Sequence, residues 1–434
     1  MRMRYLLQRS LRGNMPLFFI MRRKICMSKT KQLIIFLNYA SLGILLPVLN
    51  LILLEKGADL KTLPLLIASY SATVLCFELP SGICADLYGR KTVFLISGIC
   101  QLLSLGLLFF SQNLVWLLCC LVLNGISRAF SSGSLDALIV DQALAKRGEE
   151  CLPDVTSRLA IMEQTGLALG CILGGFLSCL GDSYNANILL RITLTTVTMG
   201  LCIFGIREER IFVSGARRPN LSRHLKEGFV TVFSKRDFPF ILAGMLFTGF
   251  FITPIETYWQ PVYLKLSDSS QGTWMLGVLS FVGFFLAAAG NSLCRRLLIK
   301  YPGRQWRIYS ISRVLGGSAL LILALFQSAW IFVILYGGIY LFLGTGSVAE
   351  NTLINQYTPG PLRASVLSVG SFLLQTGSMF GSVYSSLTVG RIDVTGLWLT
   401  SGGVLIGYTF LITLLLMAQK KKINLYDIES FENS

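Results

Sequence analysis

The chain has 434 residues, of which 53% are hydrophobic and only 14% charged, with a net charge of +16. A soluble domain carries about 25% charged residues, and one core cannot hide this much apolar surface, so composition excludes a water-soluble globular protein. The basic residues recur in short clusters between apolar runs instead of gathering on one face, which excludes nucleic acid as a partner and marks an integral membrane protein in a lipid bilayer.

In chain order, residues 1–31 form a basic cytoplasmic arm with "MRRK" and the short apolar "MPLFFIM", too brief for a secretory signal and without a small-residue cleavage site. Met27, opening "MSKTKQLIIFL", reads as a natural start. Apolar runs near the bilayer length of about 20 residues then occupy 32–54, 62–83, 92–111, 113–140, 156–180, 185–206, 238–260, 273–298, 308–327, 329–353, 364–388 and 394–418. These predict an all-α membrane protein of twelve transmembrane helices. Strands of a barrel would alternate in polarity over about ten residues, and none of these runs does.

With a cytoplasmic N-terminus, nearly all of the 38 Lys and Arg fall inside; Lys56, Lys61, Lys265 and Arg391 fall outside, and Arg128, Arg191 and Arg313 lie in spans. The positive-inside rule therefore predicts that both termini are cytoplasmic, in a multi-pass protein of the inner or plasma membrane. The longest polar interval, 207–237, divides a six-helix half at 32–206 from another at 238–418, with a tail at 419–434. Within it, "LSRHLKEGFVTVFSK" has the spacing of an amphipathic helix lying on the inner surface.

The halves echo one another. "GILLPVLN" (43–50) and "GFFITPIET" (249–257) place a proline late in the first span of each half, and "GSLDALIVDQ" (133–142) matches "GSVAENTLINQ" (346–356) with one insertion. Repeated halves of this kind put a substrate site at the midplane between them.

The stretch "SGICADLYGRK" (81–91) packs Asp86, Arg90 and Lys91 into a short loop between spans two and three, with Gly82 and Gly89 to permit close approach and a sharp turn. Asp86 can accept from a helix N-terminus or from Arg90. Two readings stand: a charged latch that holds one conformation, or positive-inside anchoring. In span five, Gly166, Gly170, Gly174 and Gly175 form a small-residue stripe that lets helices approach and slide.

These residues carry a resemblance. Gly82, Asp86, Gly89, Arg90 and Lys91 resemble the loop motif of the major facilitator superfamily, Gly-x-x-x-Asp-x-x-Gly-Arg-Lys, in the same loop. "GLALGCILGG" is similar to that superfamily's antiporter motif at Gly166, Gly170, Gly174 and Gly175, with Cys171 where the family has proline. "ELP" (78–80) and "SGSLDALIVD" (132–141) look like a bacterial drug-efflux branch. At the family's span-four arginine position stands Leu121, and Arg128 comes later, near mid-span, where it must be paired or face a wet cavity. The resemblance implies the major facilitator fold, rocking of two pseudo-symmetric halves, and export by proton antiport.

Proton coupling needs a carboxyl that loads on one side and releases on the other. Glu78, Asp136 and Asp141 lie toward the cytoplasmic ends of spans two and four, where they read as gating partners of intramembrane charge. Glu163 precedes the glycine stripe, within reach of Arg128 or Arg158. Glu256 follows Pro254 in span seven, and Glu350 lies in span ten. Glu256 and Glu163 lead as coupling acids, with Asp136 third. Asn38, Asn50, Tyr258, Trp259, Tyr340 and Gln375 are candidate cavity residues, suited to amphiphilic small molecules.

The 11 cysteines form no CxxC and no ligand spacing with the single histidine, so they read as apolar fillers and no metal is expected. Neither HExxH nor GxSxG appears, so the chain reads as no enzyme. The expected function is a monomeric exporter of drugs or small natural products, with the proton gradient as energy source and no cofactor. A proton-coupled nutrient uptake symporter of the same fold is the alternative.

Overall fold

A computed structural model describes residues 27–132, 134–148, 151–181, 183–208, 238–267, 272–326, 328–358 and 363–432. The arm before Met27 and the linker segment 209–237, with its expected amphipathic helix, lie outside the described residues, as do the side chains of Asp86 and of the tail.

Every described element is helical. α1 (Lys29–Leu45) starts where the Ser28 hydroxyl accepts from the Lys31 amide at 3.4 Å, and it ends just before Pro47. Proline cannot donate within a helix and clashes with the preceding turn, so α2 (Leu49–Glu55) resumes with a 45° bend. α3 (Thr62–Tyr88) stops at Gly89, whose φ of +93° needs the absence of a Cβ. α4 (Arg90–Phe110) follows at once.

The Asn113 side chain caps α5 (Leu114–Ser131) through the Trp116 amide at 3.1 Å. α6 (Leu135–Arg147) is a separate helix, so the fourth expected span is interrupted near Ser132. α7 (Leu152–Leu177) and α8 (Asn185–Gly205) complete the first set. The second set is α9 (Phe238–Ser267), α10 (Thr273–Lys300), α11 (Gln305–Leu325), α12 (Ala329–Tyr357) and α13 (Arg363–Glu432). α13 breaks at Asp393 (φ 54°, ψ 177°).

Among the described residues, nine helices are long and apolar enough to cross a membrane, or ten if the bent α1–α2 pair is one span. α3 falls outside that count, contributing only the shorter apolar helix Thr62–Glu78, and Val369–Leu415 counts once across the Asp393 break. Phe110 and Phe204 are 80% and 88% exposed, the pattern of a chain whose solvent is lipid.

The two sets repeat their pairings. α1 packs on α7 as α9 packs on α13, and α3 and α4 flank α5 as α10 and α11 flank α12. Glycine permits both close contacts. A Cβ on Gly170 or Gly174 would sit 2.3 or 2.1 Å from the carbonyl oxygens of Ala40 or Ile44 on α1. One on Gly377 would clash in the same way with the Leu246 carbonyl on α9. Gly166 also abuts α1, whereas Gly175 faces Gly277 of α10 in the other set, so the stripe serves two interfaces. Gly82 corrects its expected role: nothing lies within 4 Å of where its Cβ would be.

Candidate functional site

A cavity of about 930 Å³ lies between the sets and is lined from both. Asn38, Asn50, Trp259, Tyr340 and Gln375 reach it, as do Arg128, Glu163 and Glu256. Tyr258 does not: it is fully buried and donates its hydroxyl to the Leu60 carbonyl at 2.8 Å, bracing α9 against the start of α3. Asp136 lies past the break in span four, off the cavity wall, and accepts from the hydroxyl of Tyr39, which does line it, at 3.0 Å.

The second set supplies an aromatic wall with the Glu256 carboxylate beside it. Trp259 and Tyr336 rings lie 4.9 Å apart, as do Tyr336 and Tyr340. Glu256 follows Pro254 on α9, is exposed to the cavity, and accepts from the Tyr340 hydroxyl at 3.1 Å. Tyr336 was not anticipated, although its spacing of four from Tyr340 places both on one helical face.

The first set supplies positive charge. Arg128 is exposed to the cavity and acts electrostatically on Asp136 and Glu163, with no ion pair among the described residues. Arg158, the other expected partner of Glu163, pairs with Asp154 at 3.1 Å, one turn away. Glu78 is exposed and off the cavity, and among the described residues no ion pair includes it. Arg191 and Gln101, neither of them singled out as site residues, also line this wall. Lower in the second set, Arg313 and Glu350 form a buried pair at 3.0 Å at the cavity edge.

The cavity is closed at one end. The Asn50 amide donates to the Glu256 and Thr257 carbonyls and to Gln260 Oε1, at 2.9, 3.1 and 3.0 Å, tying α2 to α9. The Gly175–Gly277 contact closes the same end, away from the 89–91 turn.

At the other end, the charged turn is bonded within the first set. Arg90 pairs with Asp141 at 2.9 Å, which moves Asp141 from an expected intramembrane partner to a half-exposed surface one. The Glu208 carboxylate accepts from the Arg90 and Lys91 amides at 2.7 and 3.1 Å, taking the helix N-terminus expected of Asp86. Lys91 Nζ donates to the Ile203 and Ile206 carbonyls at the end of α8.

Two helix sets with matching pairings around one central cavity are the build of many membrane transporters. The Major Facilitator Superfamily model matches residues 33–349, and the chain belongs to that family. It is similar to the multi-drug resistance efflux pump PmrA of Streptococcus pneumoniae, 24% identical over 373 residues, covering 82% of this chain and 87% of that one. A PmrA homolog of Lactococcus lactis is 27% identical over 338 residues, 74% and 78% of the two chains. Among solved structures, the nucleoside transporter NupG superposes with a TM-score of 0.76 at 14% identity, over 89% of this chain and 98% of that one. A POT family transporter in complex with 5-aminolevulinic acid gives 0.69 at 12%, over 89% and 95%. At such identities these two likenesses concern the fold.

Proposed function

We propose that the protein exports drugs or small amphiphilic natural products from the cell by proton antiport, as a monomer in the inner or plasma membrane. Its twelve spans are the ten counted above, α3, and the second span made when α13 divides at Asp393. Both termini are cytoplasmic in this reading, since the Lys and Arg clusters then lie inside. The 89–91 turn is then cytoplasmic too, and the Asn50 closure seals the outside, the state in which an exporter loads.

The observation that carries the proposal is Glu256, a carboxylate that faces the cavity and, among the described residues, accepts one side-chain hydrogen bond, from Tyr340. A carboxylate so placed can hold a proton or face a bound molecule, and exclusion of one by the other couples their movements. The similarity to named efflux pumps and the glycine stripe seated on α1 favour the outward direction.

Everted vesicles containing the protein test this. Adding amphiphilic antibiotics and dyes should collapse an imposed pH gradient with wild type and with Glu163→Gln, and should not with Glu256→Gln. No collapse by wild type with any compound would sink the antiport reading, and collapse that survives Glu256→Gln would move coupling to another acid.

A further inference from the structure

Arg191 sits in the middle of α8, 4% exposed, on the wall of the cavity. Among the described residues no carboxylate pairs with it, and its Nε has no hydrogen-bond partner. Its electrostatic neighbours are Tyr70 and Cys120, neither an anion in its ordinary state. Arg313, the buried arginine of the second set, shows what the usual solution looks like: Glu350 meets it at 3.0 Å. A guanidinium cannot shed its proton to escape burial, so an unpaired one at this depth is retained at a cost.

A second orphan donor faces the same space. Gln101 is buried on α4, which packs against α8, and lines the cavity. Its Oε1 accepts from Ser127 at 3.3 Å, while its Nε2 has no partner among the described residues. Both orphans are donors, and both belong to the first set. The carboxylate of Glu256 belongs to the opposite set, beside the aromatic wall.

We propose that Arg191, assisted by Gln101, binds an anionic group of the transported molecule. The substrate is then an amphiphilic organic acid, its anion directed to the first set by Arg191 and away from Glu256, and its apolar body against Trp259, Tyr336 and Tyr340. An acidic group meeting the Arg191 guanidinium would supply the negative partner it lacks among the described residues. This inference rests on the cavity being the transport site proposed above.

The test uses the purified full-length protein in proteoliposomes and a matched pair of probes, a rhodamine bearing a free carboxylate and its methyl ester. Binding is read by fluorescence polarisation and transport by uptake of each dye. Arg191→Gln should weaken binding of the acid by about tenfold or more, the scale of one charge-assisted hydrogen bond, and leave the ester little changed. Arg191→Lys should retain most of the preference for the acid, and Gln101→Leu should weaken the acid alone. If Arg191→Gln does not fold, these last two variants carry the test. Wild type that moves both dyes, with acid and ester affected alike by the substitutions, overturns the anion site and leaves export standing. Wild type that moves neither dye overturns the export of amphiphiles itself.

Discussion

Asn50 on α2 and Gln260 on α9 meet side chain to side chain at 3.0 Å, both buried, and they join the two helix sets across the closed end of the cavity. The same Asn50 nitrogen also serves the Glu256 and Thr257 carbonyls. Asn50→Leu would leave buried acceptors unpaired, each at about 1–3 kcal/mol, so the closed end should lose population about tenfold or more relative to the open one. Spin labels at Lys61 and Arg391, on opposite sets, would report this as a longer distance once the native cysteines, Cys76, Cys119 and Cys179 among them, are replaced. An unchanged distance distribution would mean that Asn50 does not hold this end.

Two glycines in sequence motifs should respond in opposite ways. A Cβ on Gly174 would fall 2.1 Å from a backbone carbonyl that cannot turn aside, so Gly174→Ala should destabilise by about 1–3 kcal/mol through overpacking. Gly82 lies inside α3 with open space around it, so Gly82→Ala should stabilise by about 0.4–1 kcal/mol. Thermal unfolding in detergent separates the two. Equal melting shifts of one sign would refute the packing assignment.

The helices were legible in the sequence because a bilayer demands long apolar runs, and the turn at Gly89 because its neighbours are charged where the chain otherwise avoids charge. The breaks were not. Pro47 announces a bend without saying that the helix resumes, and the interruption near Ser132 has no proline to mark it. The cavity residues were legible only by type. A run that is apolar throughout gives no azimuth, so Tyr258 and Trp259 look equivalent until α3 and α12 are in place. For the same reason Arg191 reads as one more charge in a span, and its lack of a partner is a property of the assembled wall. The partners of the 89–91 turn, Asp141 and Glu208, come from distant segments that no spacing connects.

Arg313 and Glu350 make the opposite case, a buried charge that is answered. The pair joins α11 to α12 at 3.0 Å, and the guanidinium also lies 5.2 Å from the Tyr309 ring centre. Removing one partner leaves a buried charge, so Glu350→Gln should cost about 3–5 kcal/mol, whereas Arg313→Met combined with Glu350→Leu should recover most of the loss. Thermal unfolding of both single variants and the double variant closes the cycle. A double variant no more stable than the worse single one would show that the pair is not the source of the effect.

At the far end of the first set, Glu208 and Gly89 depend on one another. The carboxylate rests on the first amides of α4, and a Cβ on Gly89 would lie 2.7 Å from its Oε2. Gly89→Ala therefore has two costs: a side chain at φ +93° and displacement of the carboxylate. The backbone cost alone is about 1–3 kcal/mol. Glu208→Gln keeps the shape and removes only the charge facing the helix N-terminus, at about 0.3–1 kcal/mol. Hydrogen exchange at the Arg90 and Lys91 amides should quicken modestly in Glu208→Gln and strongly in Gly89→Ala. Protection at wild-type level in Glu208→Gln would show that the turn holds these amides without the carboxylate, and the tie between α4 and the end of α8 would then rest on Lys91 and its bonds to Ile203 and Ile206.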